Sequence, residues 1–198
     1  MTGPHRAGGA VLVPAGGPVT MAVRRRWRTA HDRDRERDMV EIIRADLHDS
    51  RHGEALIALL DEYARDEMGG GTALADEVKA NLARALADRP GAHVLLAWVD
   101  GEPAGVATCF EGFSTFACQP LLNLHDLAVH PAHRGRGIGK RLLAEVERLG
   151  RELGCCKLTL EVLEGNKVAQ AAYRASGFAG YELTPEVGRA LFWQKKLG

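Results

Sequence analysis

Leu122 to Leu143 constrains this chain more than any other stretch. An apolar-rich run, Leu122 to Val129, has the length of a buried strand. It turns at Pro131 and leads into Arg134-Gly135-Arg136-Gly137-Ile138-Gly139. Ile138, Leu142, Val146, Leu149 and Leu153 then recur at helical spacing. The pattern is strand, glycine-rich loop, helix N-terminus. The first turn of a helix leaves backbone N–H groups without partners, and the macrodipole adds partial positive charge there. Glycines let a phosphate approach those groups closely. Arg134, Arg136, Lys140 and Arg141 add formal charge, so the stretch reads as a phosphate or pyrophosphate site. A Walker A loop fails, because Arg stands at both 134 and 141. A dinucleotide fingerprint fails, because its third glycine would fall on Lys140.

The rest of the chain arranges itself around that unit. Residues 1–38 begin rich in Gly, Pro and Ala and continue through Arg24-Arg25-Arg26-Trp27-Arg28 into a charged run, His31 to Asp38. They are expected to form a disordered, solvated tail. A twin-arginine export signal would need an apolar stretch after the arginines. Met39 to Ala45 suits a first strand. Asp49 or Ser50 is placed to cap a helix carrying Leu56, Leu59, Leu60 and Tyr63 on one face and ending in Asp61, Glu62, Asp66 and Glu67. After Gly69-Gly70-Gly71, Thr72 is expected to cap a second helix with Leu74, Val78, Leu82 and Leu86 as its apolar stripe. Asp100-Gly101 marks a hairpin between Val94–Val99 and Ala104–Phe110. Residues 111–120 read as an aromatic loop. Lys157–Val162 is the next strand, Lys167–Ala175 a short helix, and Phe178–Leu183 and Ala190–Lys196 two closing strands. The order β-α-α-β-β-β-α-β-α-β-β predicts a mixed α/β domain over 39–198 with a mostly antiparallel sheet.

Lys+Arg and Asp+Glu both number 26, so bulk charge argues against a nucleic-acid partner. No apolar run reaches the roughly 18 residues that span a bilayer. The four cysteines, Cys109, Cys118, Cys155 and Cys156, form no C-x-x-C pair, and they read as reduced thiols of a cytoplasmic protein. No His/Asp/Glu cluster has metal-ligand spacing, so no metal is expected.

Arg134 to Gly139, preceded by Leu127-Ala128-Val129 and followed by Leu142-Leu143, resembles the acetyl-CoA motif R-x-x-G-x-G of the GNAT acetyltransferases. A second block, from Asn166 through Ala169 and Tyr173 to Gly177-Phe178, resembles that family's N-x-x-A-x-x-x-Y-x-x-x-G-F segment. The resemblance covers residues 39–198. It implies transfer of an acetyl group from acetyl-CoA to an amine by direct attack. It also implies roles for residues. Backbone N–H groups of Gly135, Gly137, Ile138 and Gly139 would hold the pyrophosphate, with charge from Arg134, Arg136 and Lys140. Leu127, Ala128 and Val129 would pair with the pantetheine arm as an added strand would. Asn166 would meet pantetheine amides, or cap the helix after Gly165, or both. Tyr173 would face the departing sulfur as acid; its alternative is a packed core tyrosine. An alkylamine has a pKa of about 10.4, so a base or a water chain is expected. The candidates are His125, Asp126, Glu111 and Glu161, with His125 best matched to neutral pH. Strand alternation would turn His125 and Asp126 to opposite faces.

Within the family, Phe113-Ser-Thr-Phe116, Pro120 and Leu124-His125-Asp126-Leu127-Ala128-Val129 are similar to the spermidine/spermine and thialysine N-acetyltransferases, which read F-S-T-F, P and L-E-D-L-x-V. His125 stands where that branch carries Glu, which weakens attraction for a diamine. The resemblance implies a small-molecule primary amine as acceptor and a homodimer as assembly. A protein N-acetyltransferase and a non-catalytic acyl-CoA sensor are the competing readings.

Overall fold

A computed structural model describes residues 39–182, 184 and 186–197. The tail expected over 1–38 lies outside the described residues. The elements run β1 (Val40–Arg44), α1 (Ser50–Arg65), α2 (Asp76–Ala87), β2 (Ala92–Val99), β3 (Glu102–Ser114), β4 (Gln119–Val129), α3 (Ile138–Glu152), β5 (Leu158–Leu160) and α4 (Lys167–Ala175). Single 3-10 turns at Glu67–Gly69 and Pro131–His133 interrupt the connections. The strands form one sheet in the order β1-β2-β3-β4-β5, antiparallel except for the parallel β4–β5 pair. Its two faces carry two cores. Leu95, Ala97, Leu122 and Leu124 face α3, while Val94, Leu96, Trp98 and Val106 face α1 and α2.

Helix α3 is the keel of the site. Ile138, Leu142, Val146 and Leu149 are all at most 1 % exposed. Each such side chain contributes about 1.5–3 kcal/mol when fully buried. A β-carbon on Gly105 would stand 3.1 Å from the Leu142 side chain and 3.2 Å from that of Ile138. The sheet therefore needs glycine where the first turns of α3 cross it. Burial of Ile138 fixes the start of α3, and with it the glycine loop.

Several expectations are corrected. Thr72 does not cap α2, which begins at Asp76 after Ala75, with no side-chain cap. The connection is anchored from α1 instead: Leu74 N–H donates to Asp61 Oδ1 at 2.8 Å. Asp61 also binds Arg65 at 2.9 Å and Lys79 at 3.2 Å. Residues 111–120 are mostly strand, because the β3–β4 ladder continues to Ser114 opposite Gln119. Only 115–118 turn, and Phe113 and Phe116 point into solvent. The two closing strands are absent among the described residues. A single bridge, Glu182 to Arg189, takes their place. Leu191, Phe192 and Trp193 are exposed. Strand propensity needs an edge to pair with, and those residues lie against none. Leu183 lies outside the described residues.

Asp61 supports a pH prediction. The Arg65 guanidinium holds its carboxyl below the usual range, Leu74 N–H and Lys79 add to this, and partial burial opposes it. A depressed folded pKa gives stability that is present above the unfolded value and lost as pH falls through the folded one. Asp61→Asn should therefore lower the Tm at neutral pH, and the gap from wild type should close in acid below the unfolded carboxylate range. Thermal melts between pH 7 and pH 2.5 check this, and a pH-independent gap would remove charge from the account.

Candidate active site

Strand β4 is paired on both edges only as far as Leu124. Its parallel ladder joins Leu122, Asn123 and Leu124 to Leu158, Thr159 and Leu160, with an Asn123–Thr159 side-chain bond of 3.1 Å. Beyond that rung β5 leaves, and residues 125–129 keep only the antiparallel pairing to β3. An open strand edge therefore leads directly into the glycine loop. Such an edge offers N–H and C=O groups to an extended, amide-bearing ligand.

At the loop, Gly135 has φ 77° and Gly137 has φ 76°. Both are left-handed conformations that side chains rarely adopt. Apart from the adjoining residues of the loop, no heavy atom lies within 4 Å of a β-carbon built on either residue, so the cradle stands open above the N–H groups of the first turn of α3. Gly137 is the N-cap and supplies no side-chain oxygen to those groups. The pyrophosphate-and-amide arm predicted from sequence fits this donor set. Ile138 faces the core, so only its backbone is available to the loop.

The cationic residues differ in their bonds. Arg134 donates from Nε to the Val129 carbonyl at 3.2 Å and from Nη2 to Asp66 Oδ2 at 3.0 Å. Arg136 Nη1 meets His133 Nδ1 at 2.9 Å. Lys140 and the loop glycines 135 and 137 are exposed.

A β-bulge reshapes the middle of β4. Thr108 pairs with Asp126 and Cys109 with Leu124, which leaves His125 as the extra residue. Side-chain parity inverts there. Leu122 and Leu124 face the α3 core before the bulge, whereas Leu127 and Val129 do so after it, with Ala128 turned to the α1 side. The expectation that His125 and Asp126 face opposite sides is thereby corrected. His125 Nδ1 lies 3.3 Å from Asp126 Oδ2. Asp126 also accepts from the Thr108 hydroxyl. His125 is exposed and sits edge-on to Phe110, with ring centroids 5.5 Å apart. Of the other base candidates, Glu111 Oε1 accepts from His93 Nε2 at 2.7 Å. That histidine is 8 % exposed and its Nδ1 accepts from Arg44 at 2.6 Å. Glu111, itself exposed, is thus tied to the buried His93 and through it to Arg44, and Glu161 is exposed.

Asn166 caps α4: its Oδ1 accepts from Ala169 N–H at 3.0 Å. Tyr173, two turns later, is half-buried and packs edge-on against Phe178 at 5.9 Å. Burial raises its phenol pKa, and Tyr63 adds to the rise. Tyr63 was legible only as a core residue. Its own pKa is raised by burial first, then by the carboxylates of Asp126 and Asp66. Its hydroxyl donates to the Met68 carbonyl at 3.4 Å. Tyr63 and Asp66 thus join a cluster with Asp126 and Tyr173. The signal for them in the sequence was the acidic end of α1.

All four cysteines are free, and burial first, then Asp126, pushes the Cys109 thiol up to about 12. No described helix is long and apolar enough to cross a membrane. Among the described residues, no group of three His, Cys, Asp or Glu side chains is arranged to hold a metal ion.

Residues 56–178 match the sequence profile of the acetyltransferase (GNAT) family. A thialysine N-epsilon-acetyltransferase of Bos taurus is 30% identical over 144 residues, 66% of this chain and 82% of that protein. An aminoglycoside N(6')-acetyltransferase type 1 of Stenotrophomonas maltophilia is 34% identical over 107 residues, 52% of this chain and 70% of its own. An aminoglycoside N-acetyltransferase solved in complex with CoA superposes with a TM-score of 0.62 at 22% identity, covering 81% of this chain and 97% of that one.

Proposed function

This chain belongs to the GNAT acetyltransferase family, and from that premise we propose that it acetylates the primary amine of a small cationic molecule by direct attack in a ternary complex. It is an acetyl-CoA-dependent N-acetyltransferase. The observation that carries the reading is the open edge of β4 running into an open glycine cradle.

Acetyl-CoA supplies the activated acetyl thioester. Backbone N–H groups from Gly135 to Lys140 hold its pyrophosphate, because the first turn of α3 leaves them without partners. Arg136 and Lys140 neutralise part of its charge, while Arg134 spends its guanidinium on Asp66 and the Val129 carbonyl. Leu127 offers its N–H and C=O, and Val129 its N–H, to the pantetheine amides on the free edge, whereas the Ala128 groups face β3 and the Val129 carbonyl is held by Arg134. Asn166 spends Oδ1 on its cap, which leaves the Nδ2 donors for a pantetheine carbonyl. His125, oriented by Asp126, takes the proton that the ammonium must lose before its nitrogen attacks. Tyr173 donates a hydrogen bond to the sulfur as the C–S bond breaks.

The Asp126 carboxylate, which acts on Tyr63, favours a cationic acceptor. Relatives named for thialysine and for aminoglycosides support a small polyamine-like substrate, a diamine or thialysine-like amine. The exposed Leu191, Phe192 and Trp193 support a homodimer. The free thiols support a cytoplasmic setting.

Thiol release from acetyl-CoA across diamines, lysine analogues, aminoglycosides and short peptides tests the activity. Turnover with diamines or thialysine is expected. Acetyl-CoA binding with silence across the panel would favour a sensor. His125→Ala should lower kcat/KM for the amine by about 100-fold at neutral pH and leave acetyl-CoA affinity unchanged. An unchanged kcat/KM would pass the base role to a water chain.

A further inference from the structure

We propose that Asp66 is a positioning residue that, through Arg134, locks the acceptor side of the site onto the glycine loop. The inference rests on the proposed transfer reaction and names a part of the same site. Asp66 ends α1 and starts the 3-10 turn Glu67–Gly69. Its two carboxylate oxygens do different work. Oδ1 accepts from Met68 N–H at 3.0 Å, and Oδ2 takes Arg134 Nη2 at 3.0 Å. Arg134 reaches back from Nε to the Val129 carbonyl at 3.2 Å. One guanidinium thus bridges the last residue of β4 and a turn 68 positions earlier in the chain.

The turn it grips is tightly wound. Gly69 and Gly71 N–H groups donate to the Asp66 carbonyl at 2.9 and 3.0 Å, and Thr72 N–H donates to Ala64 O at 2.9 Å. A β-carbon on Gly69 would stand 1.9 Å from the Tyr63 carbonyl oxygen, so the turn lies flat on the last turn of α1. Met68 in turn offers its carbonyl to the Tyr63 hydroxyl. That phenol interacts electrostatically with Asp126, Asp66 and Tyr173. A connected path therefore runs from the glycine loop through Arg134, Asp66 and Met68 to Tyr63, beside the residues assigned to the acceptor and the sulfur. The contact between Asp66 and Arg134 is exposed enough that its ionic energy is small. Its value lies in geometry, since small displacements of an acceptor wall cost rate.

Hydrogen exchange judges the brace separately from the activity, and amine kinetics judge it within the reaction. Hydrogen exchange on the free protein needs no turnover. Arg134→Gln, a change far from the turn in sequence, should speed exchange at Met68 to Thr72 about tenfold, and unchanged exchange there would overturn the brace. Arg134→Gln leaves the Asp66 cap itself intact, so it guards against an Asp66 variant that fails to fold. In the active enzyme, Asp66→Asn should raise KM for the amine about tenfold with acetyl-CoA Kd unaltered. The double variant Asp66→Asn/Arg134→Gln should be no worse for the amine than Asp66→Asn alone, as partners in one contact are not additive. An unchanged amine KM, or effects that multiply, would sink the positioning role. Silence of the wild type across all amines would instead overturn the proposed reaction, and the exchange result would still judge the brace.

Discussion

Gly137→Asp should weaken acetyl-CoA binding by at least about 100-fold, because three penalties fall on one position. Gly137 holds φ 76° and ψ 9°, and a left-handed backbone costs a side-chain-bearing residue roughly 1–2 kcal/mol. Apart from its own chain neighbours, no protein atom lies within 4 Å of the position a β-carbon would take. A side chain there would fill the room that a phosphate oxygen needs. Aspartate would also set a negative charge at the N-terminus of α3, where the macrodipole favours it and it repels a second anion. That last effect partly restores fold stability while it blocks the ligand. Binding and stability should therefore separate, with a large loss in affinity by calorimetry beside a small change in Tm. Two controls divide the penalties. Gly137→Ala keeps the strain without the charge and should lose less affinity. Gly154→Ala places the same strain at the other end of α3, where φ is 69°, and should leave binding alone. Retained affinity in Gly137→Asp would move the pyrophosphate off this loop.

The features that fix this cradle were legible because they are local. A strand, two glycines and an apolar stripe at helical spacing need no distant partner to be recognised, and Gly135, Gly137 and Ile138 stand where that pattern puts them. The Asp100-Gly101 turn is of the same kind, with φ 52° and 85°. The Asn166 cap is another, set by the three residues that follow it. What escaped the sequence depends on a partner strand or a remote side chain. Alternation along β4 separates His125 from Asp126 only if the ladder is regular. The extra residue in the pairing with β3 is a property of two strands, and it turns a predicted separation into a contact. Thr72 looked like a cap from its neighbours, yet Asp61, on the preceding helix, supplies the bond. Arg134 reads as one more cation in a basic loop until Asp66 is seen to take its guanidinium. The closing strands failed for a related reason: β-branched and aromatic residues describe a surface that fits a sheet, not the sheet edge that would receive them.

Tyr173→Phe should lower kcat by about 100- to 1,000-fold, the loss seen when one donor to developing charge is removed. Acetyl-CoA affinity should stay close to wild type. Phenylalanine keeps the ring, and so keeps the edge-on contact with Phe178, which makes a folding defect a poor alternative explanation. The sign of the pKa shift decides what kind of acid this is. Burial, then Tyr63, raises the phenol above its ordinary value of 10.0. The proton is therefore present throughout the working range and leaves only above pH 10. A free thiol has a pKa of about 8.5, so complete transfer from this phenol to the departing thiolate runs uphill. Tyr173 is better suited to hold the sulfur's growing charge with a hydrogen bond, while solvent or the released ammonium proton completes the balance. Two consequences follow for the rate profile. The kcat of the wild type should show no alkaline fall from this group below pH 10, and the deficit of the Phe variant should be constant across that range. A deficit that shrinks as pH rises between 7 and 9 would assign the sulfur's proton to another group, and equal kcat in the two proteins would take Tyr173 out of the chemistry.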